Sequence, residues 1–287
     1  MWPSIGLCWG TVRQTSLLEL IDVAVAYGFP TITVPPHIVD LCMASGVTVA
    51  HVRRRLVDGG VKVTVIDALT RDLPGAPPID QIPAIWRENW KYGLDDLIPM
   101  AQALEAPTIN VTHYLGKPVQ PLDMAQAIAG LAERASRCGL KLALEFMPET
   151  SLANLPATAK IVQLSGARNV GIMLDIWHML RSGGHATDIR ALPPRSLTGV
   201  QLNDRRANAT PASRGTVGDR SMPGEGDAPL AEIVQAILDN TPSADIETEV
   251  FSEELAALSP LSAGERVARS LAAWQGSLDL KRAPTLA

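Results

Sequence analysis

Lys141-Leu-Ala-Leu-Glu-Phe146, Val170-Gly-Ile-Met-Leu-Asp175 and Leu197-Thr-Gly-Val-Gln-Leu202 decide the architecture. Each is a short apolar run that carries one carboxylate or amide at or near its end. Continuous apolar runs of strand length suit a parallel sheet covered on both faces, where neither side of the strand meets water. The same kind of run recurs outward in both directions: residues 5–8, 31–34, 61–66 and 107–112 upstream, and 245–251 downstream. Between them lie longer segments of helical period. The first, Ser16 to Tyr27, is stopped by Gly28 and Pro30. Others are expected over Ile38–Val57, Ile79–Ala106 and Leu122–Cys138, the last closed by Gly139. Ala157–Leu164, a short sixth near Thr187–Leu192, Leu230–Leu238 capped by Asp227, and Gly264–Leu280 complete the set. Strand–helix alternation of this kind predicts βαβ units, and eight strands predict an α/β fold, a closed (β/α)8 TIM barrel. No linker divides the chain, so residues 1–287 are expected to form a single domain. Trp86, Trp90, Leu94, Leu97 and Leu104 recur at helical spacing and predict a buried stripe rather than an aromatic platform.

The totals narrow the function classes. Apolar residues make up 46% of 287, enough for a large core, and charged residues 19%, dispersed along the chain. A net charge of -5 disfavours a nucleic-acid partner, whose phosphates are held by excess Lys and Arg. The basic run His51-Val-Arg-Arg-Arg55 reads as a solvated helix face. Cys8, Cys42 and Cys138 are far apart and read as small buried hydrophobes, not as a disulfide framework or thiolate zinc site. Met1-Trp-Pro-Ser4 opens no secretion signal, and no apolar run is long enough for a membrane span. A soluble cytoplasmic protein with no membrane partner is the expectation.

A parallel barrel carries its chemistry at the C-terminal ends of the strands. Glu145, Asp175, Gln201 and Glu249 lie there. One strand-end acid reads equally well as an ion pair or a helix cap. Three converging carboxylates repel one another and are costly to bury unless a cation joins them. One divalent metal ion removes that conflict. Oxygen donors throughout, the Gln201 amide included, favour Mn²⁺ or Mg²⁺. Glu247 shares a strand face with Glu249 and is the alternative ligand; Glu249 is nearer the strand end. His178, three residues past Asp175, is a candidate catalytic group. Trp9, His37, Asp67 and His113 follow strands one to four and are candidates to line the pocket. In the loop after strand seven, Arg206 and Arg220 are candidates to hold a substrate oxygen, with Arg205 beside them.

Leu144-Glu-Phe-Met-Pro148, Leu174-Asp-Ile-Trp-His178, Gly199-Val-Gln-Leu-Asn-Asp204, Pro223-Gly-Glu-Gly-Asp227 and Glu249-Val-Phe251 resemble the successive signatures of the xylose-isomerase-like barrel superfamily. That group includes sugar and sugar-phosphate isomerases and epimerases, inosose and 3-dehydroshikimate dehydratases, and endonuclease IV. The resemblance implies that Glu145, Asp175 and Glu249 are carboxylate ligands and that His178 faces the substrate. Gln201 stands where many ketose epimerases have histidine, whereas glutamine there is familiar in the dehydratase branch. Pro223–Asp227 reads as a structural turn, with glycines for the bend.

These readings imply a metal-dependent isomerase or epimerase of a small, carbohydrate-like hydroxyketone. A carboxylate would take the proton beside a metal-polarised carbonyl, giving an enediolate. The alternative is a carbon–oxygen lyase: a dehydratase of a cyclic oxo-polyol such as an inosose or dehydroshikimate, or a 3-oxo-glycoside lyase, which in some relatives needs a small partner subunit. A non-catalytic barrel subunit is the reading from another class, and the intact carboxylates oppose it. Homo-oligomerisation stays open. A repair nuclease needs a histidine-rich zinc site, which five scattered histidines do not supply.

Overall fold

The computed structural model describes residues 4–206 and 219–278. Eight parallel strands close into a barrel: β1 (Gly6–Cys8), β2 (Thr31–Val34), β3 (Lys62–Leu69), β4 (Thr108–Thr112), β5 (Lys141–Glu145), β6 (Val170–Asp175), β7 (Leu197–Leu202) and β10 (Asp245–Thr248). They follow chain order round the ring, with β10 pairing β1 and β7. A separate antiparallel pair, β8 (Asp204–Arg205) and β9 (Arg220–Ser221), lies between β7 and β10 in the chain. Along each strand the outward residues, such as Leu142, Leu144, Ile172, Leu174, Val200 and Ile246, enter the shell core shared with the helices. The inward residues fill the barrel. Val65, Ala143 and Met173 form a small apolar layer there, and the next inward positions on β5, β6 and β7 are Glu145, Asp175 and Gln201. Strand alternation therefore delivers the polar set to one end of the barrel. No helix among the described residues is long and apolar enough to cross a membrane.

The first helix, Leu17–Tyr27, shows why local reading succeeds: Ser16 and Glu19 close a reciprocal capping box, and Gly28 ends it at φ 74°. Two long helices expected from periodicity are broken instead. Ile38–Val57 resolves into Pro36–Ala44 and Val49–Gly59, separated by a turn through Gly46 at φ 89°. The stretch 79–106 resolves into two 3-10 turns, Arg87–Trp90 and Leu94–Leu104. Asp96 accepts from Gly93 N at 2.8 Å and Asp72 from Leu94 N at 2.7 Å, so the last helix restarts at Gly93. Leu94, Leu97 and Leu104 form the expected core stripe; Trp90 is buried as expected but, with Trp86, lines a cavity. Strand eight ends at Thr248 rather than Phe251, which puts Glu249 just past its end.

The turn after β9 is also held differently from expectation. Asp227 does not cap the helix Leu230–Asn240, whose N-cap is Pro229; its carboxylate accepts from Arg205 Nε at 2.8 Å. The organising residue is Asp204, 1% exposed, which accepts from the backbone of Gly224, Gly226 and Ala228, each at 3.0 Å, and of Arg205 at 2.8 Å. Gly226 is required there because a Cβ would lie 2.1 Å from the Arg205 carbonyl oxygen. Asp204→Ala leaves four part-buried N–H groups without their acceptor and is expected to lower stability by about 3 kcal/mol in urea unfolding. A loss below about 0.5 kcal/mol would show that the turn holds itself.

Candidate active site

Glu145 and Asp175 end β5 and β6, Gln201 lies near the end of β7, and Glu249 follows β10. All four are buried. Asp175 also starts the next helix, Ile176–Arg181, by accepting from Trp177 N at 2.7 Å and His178 N at 3.1 Å. That cap turns His178 back over the strand ends, where its Nε2 lies 3.6 Å from Glu145 Oε1 and 3.9 Å from Asp175 Oδ2. Gln201 Nε2 donates to Glu249 Oε1 at 3.1 Å and to Asp67 Oδ2 at 3.4 Å. The expected site residues on β3, β5, β6, β7 and after β10 are therefore brought together.

Arg220 sits among them, 3% exposed. It donates to Asp175 through Nη2, and its Nη1 lies 3.0 Å from Glu249 Oε2. Its guanidinium carbon packs 4.9 Å from the Trp177 ring centre and 5.1 Å from that of Phe251. One buried cation bridging two buried carboxylates lowers the cost of gathering acids at this place.

The carboxyls respond unequally. Burial pushes Glu145 well above its ordinary value, reinforced by the charges of Asp67, Glu249 and Asp175 and opposed by the Asn110 amide. Glu249 rises to about 8, again through burial, with Arg220 opposing. Asp175 is also penalised by burial, but Arg220, His178 and Asn203 outweigh that and hold it below the usual range. Burial lowers His178 to about 4, so its imidazole is neutral at pH 7.

The residues fit a divalent cation. Gln201 Oε1 is a buried acceptor without a partner, beside carboxylates that burial and mutual repulsion keep from ionising freely. Donor atoms of Glu145, Asp175 and His178 lie within 4.8 Å of one another, as do those of Cys8, Asp67 and Glu249. Carboxylates predominate in both groups, each with one softer donor, the Cys8 thiol or the His178 imidazole, and such a set suits a divalent cation. Glu247, the alternative ligand, accepts instead from Thr64 inside the barrel and does not line the cavity.

Other sequence candidates scatter. Trp9 and Asp67 line the cavity above the carboxylates. His37 is one step back, bonded to Asn89 Oδ1 at 2.8 Å and edge-on to Trp9. His113 spends both ring nitrogens on backbone, Nε2 at 3.0 Å from Pro74 O and Nδ1 accepting from Ser151 N, and so ties three loops together. Arg206 is exposed and outside the cavity lining. Three polar residues went unread. Asn110 donates to Asp67 at 2.7 Å and Glu145 at 2.6 Å, and Asn203 to Asp175 at 3.0 Å. Cys8 is no bland hydrophobe: its thiol lies 3.2 Å from Glu249 Oε1. Inward strand parity marks Asn110, Asn203 and Cys8 alike, since Leu7 faces the outer core and Cys8 the barrel.

The cavity over this floor opens to solvent. Residues 21–277 match the family described as xylose isomerase-like TIM barrel. An inosose isomerase from Halalkalibacterium halodurans is 27% identical over 131 residues, 45% of this chain and 46% of that protein, so the match spans under half of the relative's length. The crystal structure of IolI protein with a bound zinc atom superposes with a TM-score of 0.80 at 16% identity, over 96% of this chain and all of the other. A probable 3-DHS dehydratase, AsbF from Bacillus anthracis, gives 0.72 at 16% identity, over 94% and 98%.

Proposed function

The chain belongs to the xylose isomerase-like TIM barrel family, and on that footing we propose that it is a divalent-metal-dependent enzyme that isomerises or epimerises a carbohydrate-like hydroxyketone. The observation that carries this reading is the unpartnered Gln201 oxygen beside three buried carboxylates. Glu145, Asp175, Gln201 and Glu249 would hold the ion. When bound, it polarises the substrate carbonyl and acidifies the adjacent C–H. Glu145 and Glu249 flank the site from either side of β6 and β7. Burial raises both carboxyls in the metal-free protein, and a bound ion would return them to the ionised form that a base requires. One takes the proton from carbon, and return to the other face or the neighbouring carbon gives epimerisation or isomerisation. Arg220 is placed to orient a substrate oxygen above Asp175 and Glu249. The inosose isomerase and the zinc-containing IolI structure support a sugar-like substrate and a metal.

A second reading, a lyase, is favoured by His178. Its ring is neutral and lines the cavity beside Glu145, placed to hydrogen-bond a departing β-hydroxyl. The test is a Mn²⁺-loaded assay in D₂O with ketohexoses and cyclic oxo-polyols. Deuterium entering beside the carbonyl, stopped by EDTA, is expected for both readings. A new enone absorbance without epimer exchange selects the lyase. Failure of Mn²⁺, Mg²⁺ or Zn²⁺ to bind by calorimetry at millimolar concentration would sink the metal centre and the mechanism with it.

A further inference from the structure

We propose that the cavity wall is a subsite for a flat apolar group, so that the substrate is a hydroxyketone carrying an aryl or fused-ring substituent. This rests on the reading of the floor as a hydroxyketone site. Above that floor the cavity is lined by Trp9, Trp86, Trp90, Tyr114, Met147 and Phe251. Trp86 is the hub. It stands edge-on to Tyr114 and to Phe251, with ring centres 5.9 Å apart in each case, while Trp90 meets Tyr114 at 6.1 Å. Phe251 continues the wall to the guanidinium of Arg220, and it packs so closely on Gly10 that a Cβ there would lie 2.9 Å from its Cζ. The aromatic surface is thus continuous from the mouth to the charged floor.

Several of the wall's polar atoms are already used. Trp9 Nε1 donates to Thr15 O at 2.9 Å and Trp90 Nε1 to Pro77 O at 3.2 Å. Trp86 and Tyr114 meet edge-on, and Asn89 Oδ1 is taken by His37. Thr70 and Thr112 are the lining residues with unpartnered hydroxyls. A free ketohexose carries a hydroxyl on every carbon but the carbonyl one, and most of those far from the floor would be buried against ring faces without partners. A site that leaves hydroxyls unpaired selects against them. A planar apolar group loses nothing on this wall and gains ring stacking, and Met147 adjusts to its outline.

The test compares hydroxyacetone, 2-hydroxyacetophenone and D-fructose on Mn²⁺-loaded protein by calorimetry. 2-Hydroxyacetophenone is expected to bind about thirtyfold tighter than hydroxyacetone, equivalent to about 2 kcal/mol at 1.4 kcal/mol per decade, and tighter than D-fructose. In Trp86→Ala that ratio should fall below about threefold, and Trp86→Phe should restore most of it. Mn²⁺ affinity reports whether each variant folds, and Phe251→Leu replaces Trp86→Ala if that variant does not. Equal affinity for the two small ketones, tighter binding of D-fructose, or an aryl preference untouched in both Trp86→Ala and Phe251→Leu overturns the subsite. The two levels fail separately. Metal-dependent hydroxyacetone binding without aryl preference removes the subsite alone. An aryl preference that persists without metal and with plain acetophenone keeps the subsite and removes the hydroxyketone reading.

Discussion

Glu249→Gln is expected to lower kcat at least about a thousandfold while the protein still folds. The substitution is isosteric, so the space between Cys8, Gln201 and Arg220 stays filled. It removes the basic oxygen that would exchange the substrate proton, an effect of about 10²–10⁴ for a general base, and it weakens the metal set. Stability should change little at neutral pH, because Glu249 titrates near 8 in the metal-free protein and the amide mimics its protonated form. The same raised value gives a pH signature. Metal and proton compete for one oxygen, so raising the pH removes the competitor. Mn²⁺ affinity should climb roughly tenfold per pH unit for each proton displaced, with the Glu249 contribution ending at about pH 8. The variant should show a shallower slope by one proton. Calorimetry at pH 6, 7 and 8 reads the slope, and single-turnover assays read the rate. Normal turnover would remove Glu249 from the mechanism.

What was legible in the sequence follows from physical range. Apolar runs and caps act over a few residues, so the eight strands and the helix from Ser16 to Gly28 could be read directly. Barrel closure then turned strand-end position into spatial convergence, which is why Glu145, Asp175, Gln201 and Glu249 could be grouped before any coordinates. Side-chain direction beyond a strand end is set by tertiary contacts, and there the reading stopped. His113 and Arg220 both follow a strand in sequence; the first turns back to backbone, and the second is folded inward by the β8–β9 pair. The Trp86–Trp90 segment misled because periodicity continues across Gly93, where Asp96 restarts the helix by a local cap that periodicity overlooks and Asp72 by a long-range contact that spacing does not encode.

Arg220→Met should destabilise the metal-free protein by about 3–5 kcal/mol yet tighten Mn²⁺ binding by about tenfold or more. Both effects come from the same contacts. Arg220 is buried and bridges Asp175 and Glu249, with Trp177 and Phe251 against its guanidinium faces. Methionine keeps the packing volume and deletes the charge, which leaves Asp175 ionised and unpaired in the interior, the costly half of a broken buried ion pair. In the wild type an incoming divalent ion meets a guanidinium already holding the carboxylates it needs. In the variant it meets none, so the metal gains the attraction that the arginine held. Thermal or urea unfolding with and without saturating Mn²⁺ separates the terms. The deficit should appear without metal and shrink by more than half with it. Turnover should still fall, since the variant lacks the group that orients the substrate oxygen. An equal deficit in both conditions, with unchanged Mn²⁺ affinity, would make Arg220 a packing residue and would place the ion away from Asp175 and Glu249.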